Sequence, residues 1–264
     1  MLHWIVLLTG VIAAQQGQVV RLSMPHEAGL QGVEIQWQDK TIPYIRLDNE
    51  WIAVLGIDLE QKPGDYASTI TVRKNGVVER RDVSVKVQSV EFPTTQLTVD
   101  DRYVQLSPAD ERRAVLEAQE IAAIHKTVTK EMLWREPFVS PIEGGVGSNF
   151  GHRRVFNGQP KNPHTGADLR ASTGTPIQST NRGRVVLAKN LFYTGNTVMI
   201  DHGLGVYSLY AHLSRIDVKK GQMVERGQLL GLAGATGRVT GPHLHWGVRV
   251  QDARVDPFSL VNMK

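Results

Sequence analysis

Along residues 18 to 100 apolar side chains alternate with polar ones instead of recurring every three or four positions. Val33, Ile35 and Trp37 form one such set, Ile70 and Val72 a second, Val83, Val85 and Val87 a third. Period-two alternation marks strands with one buried face. Asn75-Gly76, between the later two sets, predicts a two-residue hairpin because both residues tolerate positive φ. Asp48-Asn49 and Pro63-Gly64 mark further turns. Residues 15–100 therefore read as an antiparallel β-sandwich, immunoglobulin-like in style. No titratable groups cluster in it, which suits a binding or positioning module, and His26 reads as a loop histidine.

The pattern changes twice more. Ser107-Pro108 predicts a helix start, since serine caps free amides and proline at the first helical position loses no bond. Asp110 and Glu111 add negative charge at the positive end of the dipole. Ile121, Ile124 and Val128 form a stripe, and the helix is expected to run to about Glu131 with His125 solvated. Pro137 and Pro141 then end regular structure, so 101–137 reads as a helical linker. From 138 to 264 glycine is frequent and helical periodicity nearly vanishes. Val185 to Leu187, Thr197 to Ile200, Val206 to Tyr210, Leu229 to Leu232 and Leu244 to Val250 read as short strands. The fold class is thus mainly β: a sandwich, a helical linker and a C-terminal antiparallel sheet carrying a groove.

At the other end, Leu2 to Ala14 is an apolar run closing on small residues. Spanning a bilayer needs roughly 20 apolar residues, so residues 1–14 read as a signal peptide, cleaved near Ala13 or Ala14, leaving no stable membrane span. The alternative is a buried first strand. Export to the periplasm or cell envelope follows from the first reading.

Composition narrows the chemistry. The chain has 264 residues, no cysteine and a net charge of +4. Disulfides and thiolate metal sites are excluded, so any metal must be held by His, Asp or Glu. Neither an aromatic-basic stripe nor a helix-turn-helix pattern appears, which argues against nucleic acid. Six of the nine histidines fall between 152 and 245. In Gly241-Pro-His-Leu-His-Trp-Gly247 alternation puts His243 and His245 on one strand face, about 7 Å apart, with Leu244 and Trp246 opposite. Upstream stand His164-Thr-Gly-Ala-Asp168 and Tyr210-Ala-His212-Leu213. A catalytic zinc takes three protein ligands and keeps an open position. His164, Asp168 and His245 can supply that set. One carboxylate leaves the ion net positive, as a Lewis acid requires. His212 and His243 would then be free to take a proton, hold an oxyanion or protonate a leaving amine.

Ser148-Asn-Phe-Gly-His-Arg153, His164-x-x-x-Asp168, Tyr210-Ala-His-Leu213 and Gly241-Pro-His-Leu-His245 together resemble the lysostaphin-type and LytM-type zinc metallopeptidases, over about residues 138–258. These endopeptidases cut the peptide part of peptidoglycan. The resemblance implies one Zn2+ held by His164, Asp168 and His245, with His212 and His243 as the catalytic pair. It implies peptidoglycan peptides as the partner. The alternatives are a non-hydrolytic wall-binding or activating module, a peptidase kept latent by its front domain, and a peptidase acting on proteins. Asn149, His152, Arg153, Tyr193 and Tyr210 are candidates for the groove's border. His202 and Asp201 read as turn residues, Asp201 alternatively as an acceptor for a ligand imidazole; Trp246 and Phe258 read as core.

Overall fold

The computed structural model describes residues 10–97, 106–143, 149–156, 158–160 and 162–263. The first part comprises β1 (Val11–Gln15), β2 (Val19–Pro25), β3 (Leu30–Trp37), β4 (Lys40–Pro43), β5 (Ile45–Leu47), β6 (Glu50–Gly56), β7 (Gly64–Lys74), β8 (Val77–Gln88) and β9 (Thr94–Leu97). Helix α1 (Pro108–His125) follows. Then come β10 (Arg153–Phe156), β11 (Gln159–Pro160), β12 (Gly166–Arg170), β13 (Pro176–Gln178), β14 (Gly183–Leu191), β15 (Gly195–Gly203) and β16 (Val206–Ile216). β17 (Met223–Val224), β18 (Leu229–Ala233), β19 (His243–Val250), β20 (Ala253–Val255) and α2 (Pro257–Val261) complete the chain. The fold is mainly β, as the alternation predicts. Among the described residues no helix is long and apolar enough to cross a membrane.

The sandwich packs a sheet in the order β1-β8-β7-β3-β4 against β2-β6-β5. Val33, Ile35, Trp37, Ile70, Val72, Val83, Val85 and Val87 all enter its core. Asn75 and Gly76 take φ of 50° and 77° between β7 and β8, the two-residue turn expected of that pair. β1 pairs with β8 in parallel, a departure from a purely antiparallel sandwich. Ile12 and Ala14 of β1 are buried in the core, so the leader boundary placed at residue 14 falls inside a strand. Residues 1–9, the rest of that expected leader, lie outside the described residues.

Ser107 caps α1 through the Asp110 amide. The helix stops at His125, short of Glu131, because Thr127 intervenes: its hydroxyl donates to the Ile124 carbonyl and meets the Tyr207 hydroxyl at 2.7 Å. A β-branched residue bonding the preceding turn competes with continued helix. Ile121 and Ile124 pack on Leu187, Leu191 and Met199 of the large sheet, whereas Val128 is exposed. His125 is buried, not solvated, edge-on to Tyr207 at 5.6 Å. Phe138 and Ile142 enter the second core, and so does Trp134, from within the segment read as a linker.

That unit is built on a nine-stranded sheet with the path β12-β19-β16-β15-β14-β17. Leu244, Trp246 and Val248 of β19 face the core with Val198, Ile200, Tyr210 and Leu230, leaving His243 and His245 on the other face. The two units share buried contacts. Val19 and Val54 of the sandwich belong to the second core. Arg254 grips Asp58 through two bonds of 2.6 and 2.9 Å, and the Gln251 amide donates to the Val54 and Leu204 carbonyls. A Cβ on Gly56 would stand 2.4 Å from the Val250 carbonyl oxygen, so only glycine permits this approach. The sandwich thus sits against the edge of the sheet, and β9 crosses to pair in parallel with β10.

Candidate metal centre

β12 and β19 pair so that Asp168 lies directly opposite His245, and Arg170 opposite His243. Cross-strand partners share a face, so this register alone puts a carboxylate and three other polar groups on one floor. Asp168 Oδ1 lies 2.9 Å from His245 Nδ1. His164, in the turn before β12, brings Nε2 to 3.0 Å from His245 Nδ1 and 3.1 Å from Asp168 Oδ1. A tetrahedral ion with donors at about 2.0–2.1 Å spaces them roughly 3.3–3.4 Å apart. The observed triangle is slightly tighter than that. Three lone-pair donors meeting with at most a shared proton between them fit a divalent cation, and His164, Asp168 and His245 could hold one.

Asn149 braces the triangle. Its Nδ2 donates to Asp168 Oδ2 and its Oδ1 accepts from the Asp168 amide, each at 2.9 Å. Its backbone oxygen accepts from His164 Nδ1 at 3.2 Å. A carbonyl only accepts, so Nδ1 carries the His164 proton and Nε2 is left with its lone pair. Burial alone would raise the Asp168 carboxyl; hydrogen bonds and charge from His164 and His245 outweigh it and hold the group well below the usual carboxylate range. Burial pushes the His245 imidazole down.

His212 reaches this face by breaking the strand's alternation. Tyr210 pairs with Trp246 and Ala211 with His245, so a regular residue 212 would point into the core with Leu244. His212 instead has φ of 64° and β16 shifts register just beyond it. This left-handed turn, costing on the order of 1–3 kcal/mol for a non-glycine residue, brings the imidazole to 4.8 Å from His243 and 6.1 Å from His245. Two turns hold it. Its amide donates to Thr194 O at 2.8 Å and Nδ1 donates to Thr236 O at 2.9 Å. His243 Nδ1 likewise donates to Gly241 O at 2.9 Å. Both rings therefore keep an unprotonated Nε2 when neutral. Burial pushes His212 down to about 4, so it is neutral at pH 7.

All five expected residues thus converge. Several neighbours escaped sequence reasoning. The Thr194 and Thr236 carbonyls are backbone groups with no residue-type signal. Gly166 was legible only as part of a motif, yet a Cβ there would lie 2.6 Å from Trp246 O and 2.8 Å from the His245 ring. Asn149, of uncertain role in the sequence, is the brace.

Other candidates lie elsewhere. Tyr210 is fully buried, its hydroxyl accepting from the Thr180 amide, and does not border the groove. His202 is fully buried between Arg182 O and Ser208 Oγ, structural but within β15 instead of a turn. Asp201, likewise within β15, accepts from Thr129 and the Gly203 amide, not from a ligand imidazole. His152 Nε2 meets Thr95 Oγ1 at 2.7 Å, and Arg153 is exposed on β10. Tyr193 is exposed beside Arg238, in the turn that holds His212. Trp246 and Phe258 pack edge-to-face at 5.6 Å in the core, as expected.

Residues 162–257 match the model of Peptidase family M23. The chain is 46% identical over 112 residues to the peptidoglycan DD-endopeptidase ShyA of Vibrio cholerae, covering 42% of this chain and 26% of ShyA. It is 39% identical over 115 residues to the DD-carboxypeptidase/endopeptidase Mpg of Neisseria meningitidis, covering 44% and 26%. The matches therefore span about a quarter of these curated relatives. A crystal structure from Pseudomonas aeruginosa described as a peptidase M23 superposes with a TM-score of 0.71 at 33% identity, covering 93% of this chain and 94% of that one. That likeness takes in sandwich and sheet together, well beyond the segment carrying the histidines, and on it the protein belongs to peptidase family M23.

Proposed function

We propose that the protein is an exported, zinc-dependent endopeptidase that hydrolyses amide bonds in the stem peptides or cross-links of peptidoglycan. The observation that carries this is the triangle of His164 Nε2, Asp168 Oδ1 and His245 Nδ1, with edges of 2.9 to 3.1 Å, flanked by two imidazoles outside it. Two nitrogens and one carboxylate oxygen suit zinc, and a three-ligand set leaves a position for substrate. When bound, zinc supplies Lewis acidity, drawing electron density from an oxygen of water or of the scissile carbonyl.

The chain's own residues do the rest. The Thr236 carbonyl holds Nδ1–H of His212, so Nε2 is the atom that takes the attacking water's proton as oxygen bonds to the carbonyl carbon. Thr194 O fixes the backbone of the same residue. The resulting imidazolium donates from Nε2 to the leaving nitrogen as the C–N bond breaks. His243, held through Gly241, is placed to share the proton or, once protonated, to donate to the oxyanion. Asn149 keeps Asp168 and His164 aligned throughout.

The wall substrate and the export that goes with it are supported by relatives named as peptidoglycan endopeptidases. The test is muropeptide release from purified sacculi, with zinc content measured in parallel. His245→Ala is expected to lose both metal and turnover; His212→Ala should keep the metal and lose about 10²-fold or more in rate. Wild-type turnover by His212→Ala sinks the role assigned to it. No release by wild-type protein favours a wall-binding module instead.

A further inference from the structure

We infer that Arg170 forms a carboxylate-binding subsite beside the metal centre, selecting substrates with a free acid group close to the scissile amide; this rests on the peptidase reading above. Arg170 stands two residues beyond Asp168 on the same strand face, and opposite His243 in the β12–β19 pairing. A 400 Å³ cavity opens at that point, lined by Asp168, Arg170, Ser172, Pro242 and His243. Arg170 is exposed, and among the described residues its side chain has no ion pair or hydrogen bond.

Its neighbours in charge decide what it recognises. Several other arginines of this unit are paired: Arg182 with Glu225, Arg215 with Asp217, Arg254 with Asp58. On the groove floor the nearest carboxylate is Asp168, whose oxygens are engaged by Asn149, His164 and His245. A cation at the triangle would consume that negative charge and leave the floor positive. Arg170 then offers a planar fork of donors matched to a carboxylate. Strand spacing sets it about 7 Å from Asp168, the reach of two residues of an extended peptide. Stem peptides carry free carboxylates on side chains and at their ends, and the subsite fits one of them. A peptide with the same sequence but amidated acids would lose the bidentate partner.

The experiment is equilibrium binding by fluorescence anisotropy, using the zinc-loaded full chain in the His212→Ala background so that the probe stays intact. The probes are a labelled diaminopimelate-containing stem tetrapeptide with its carboxylates free and the same peptide with them amidated. With Arg170 present the acid form is expected to bind about tenfold or more tighter. Arg170→Ala should bring the two forms level by weakening the acid form, and Arg170→Lys should restore part of the difference. A preference that survives Arg170→Ala, or no preference with Arg170 present, overturns the subsite. If the preference behaves as expected while wild-type protein releases nothing from sacculi, the subsite stands and the hydrolase reading fails.

Discussion

Asn149→Ala removes the brace without touching a candidate ligand, so it separates holding the metal from building the site that holds it. The side chain makes two bonds to Asp168, one to the carboxylate and one to the amide, both at 2.9 Å. The bond to His164 comes from the backbone carbonyl and survives the substitution. A hydrogen bond to a charged group contributes about 1.5–3 kcal/mol, and the neutral bond to the amide about 1 kcal/mol more. Water can enter the half-exposed site and replace part of this, so a net loss of about 1.5–3 kcal/mol is expected. That corresponds to roughly 10- to 100-fold weaker zinc binding, the range found when groups orienting metal ligands are removed. Competition between the protein and a chelator of known affinity reads it directly. Zinc binding by Asn149→Ala as tight as wild type, at an unchanged melting temperature, would show that Asn149 does not brace the centre.

Gly166→Ala is expected to damage the same centre by steric means. The new methyl meets a backbone oxygen at 2.6 Å and the His245 ring at 2.8 Å, and overpacking costs typically 1–3 kcal/mol. Chelator competition should show at least about tenfold weaker binding, and unchanged affinity would mean the strands part at no cost. A pH effect should come from His125, whose imidazole burial and the nearby Arg249 push down to about 4, against a smaller opposing pull from Asp252. Its folded value lies below the unfolded one near 6.5, so the folded state resists protonation. Stability is full above about pH 6.5 and falls as pH drops towards 4, by up to about 3 kcal/mol. His125→Phe should flatten that fall in thermal melts between pH 7.5 and 4.5. Buried His202 and His212, also pushed down to about 4, and His245, pushed down as well, supply the fall that remains. Identical pH profiles for the variant and wild type would remove His125 from the account.

Much of the fold was legible because its cause is local. Alternation in Val33–Trp37 and Val83–Val87 reflects which face a strand buries, and Asn75-Gly76 turns the chain through its own backbone freedom. The shared face of His243 and His245 is the same kind of fact, settled by a period of two. The chain also carries, in its types and spacing alone, an imidazole and carboxylate donor set and no thiol.

Tertiary structure decided what depends on partners distant in sequence. β1 and the 127–137 segment could not be assigned from their own residues, since Ile12 and Trp134 are apolar in any context and only the completed cores say where they go. His125 is buried because Tyr207, 82 positions away, covers it. The site shows the division most sharply. Regular alternation would send His212 inward, and it faces the groove only because φ turns positive there, held by Thr194 and Thr236. Asn149 and Arg170 take their places from a loop fold and a strand register that no short window of sequence contains. Local preference chooses the elements, but which lone pairs meet is a matter of pairing between strands, and pairing is settled only when the whole sheet has closed.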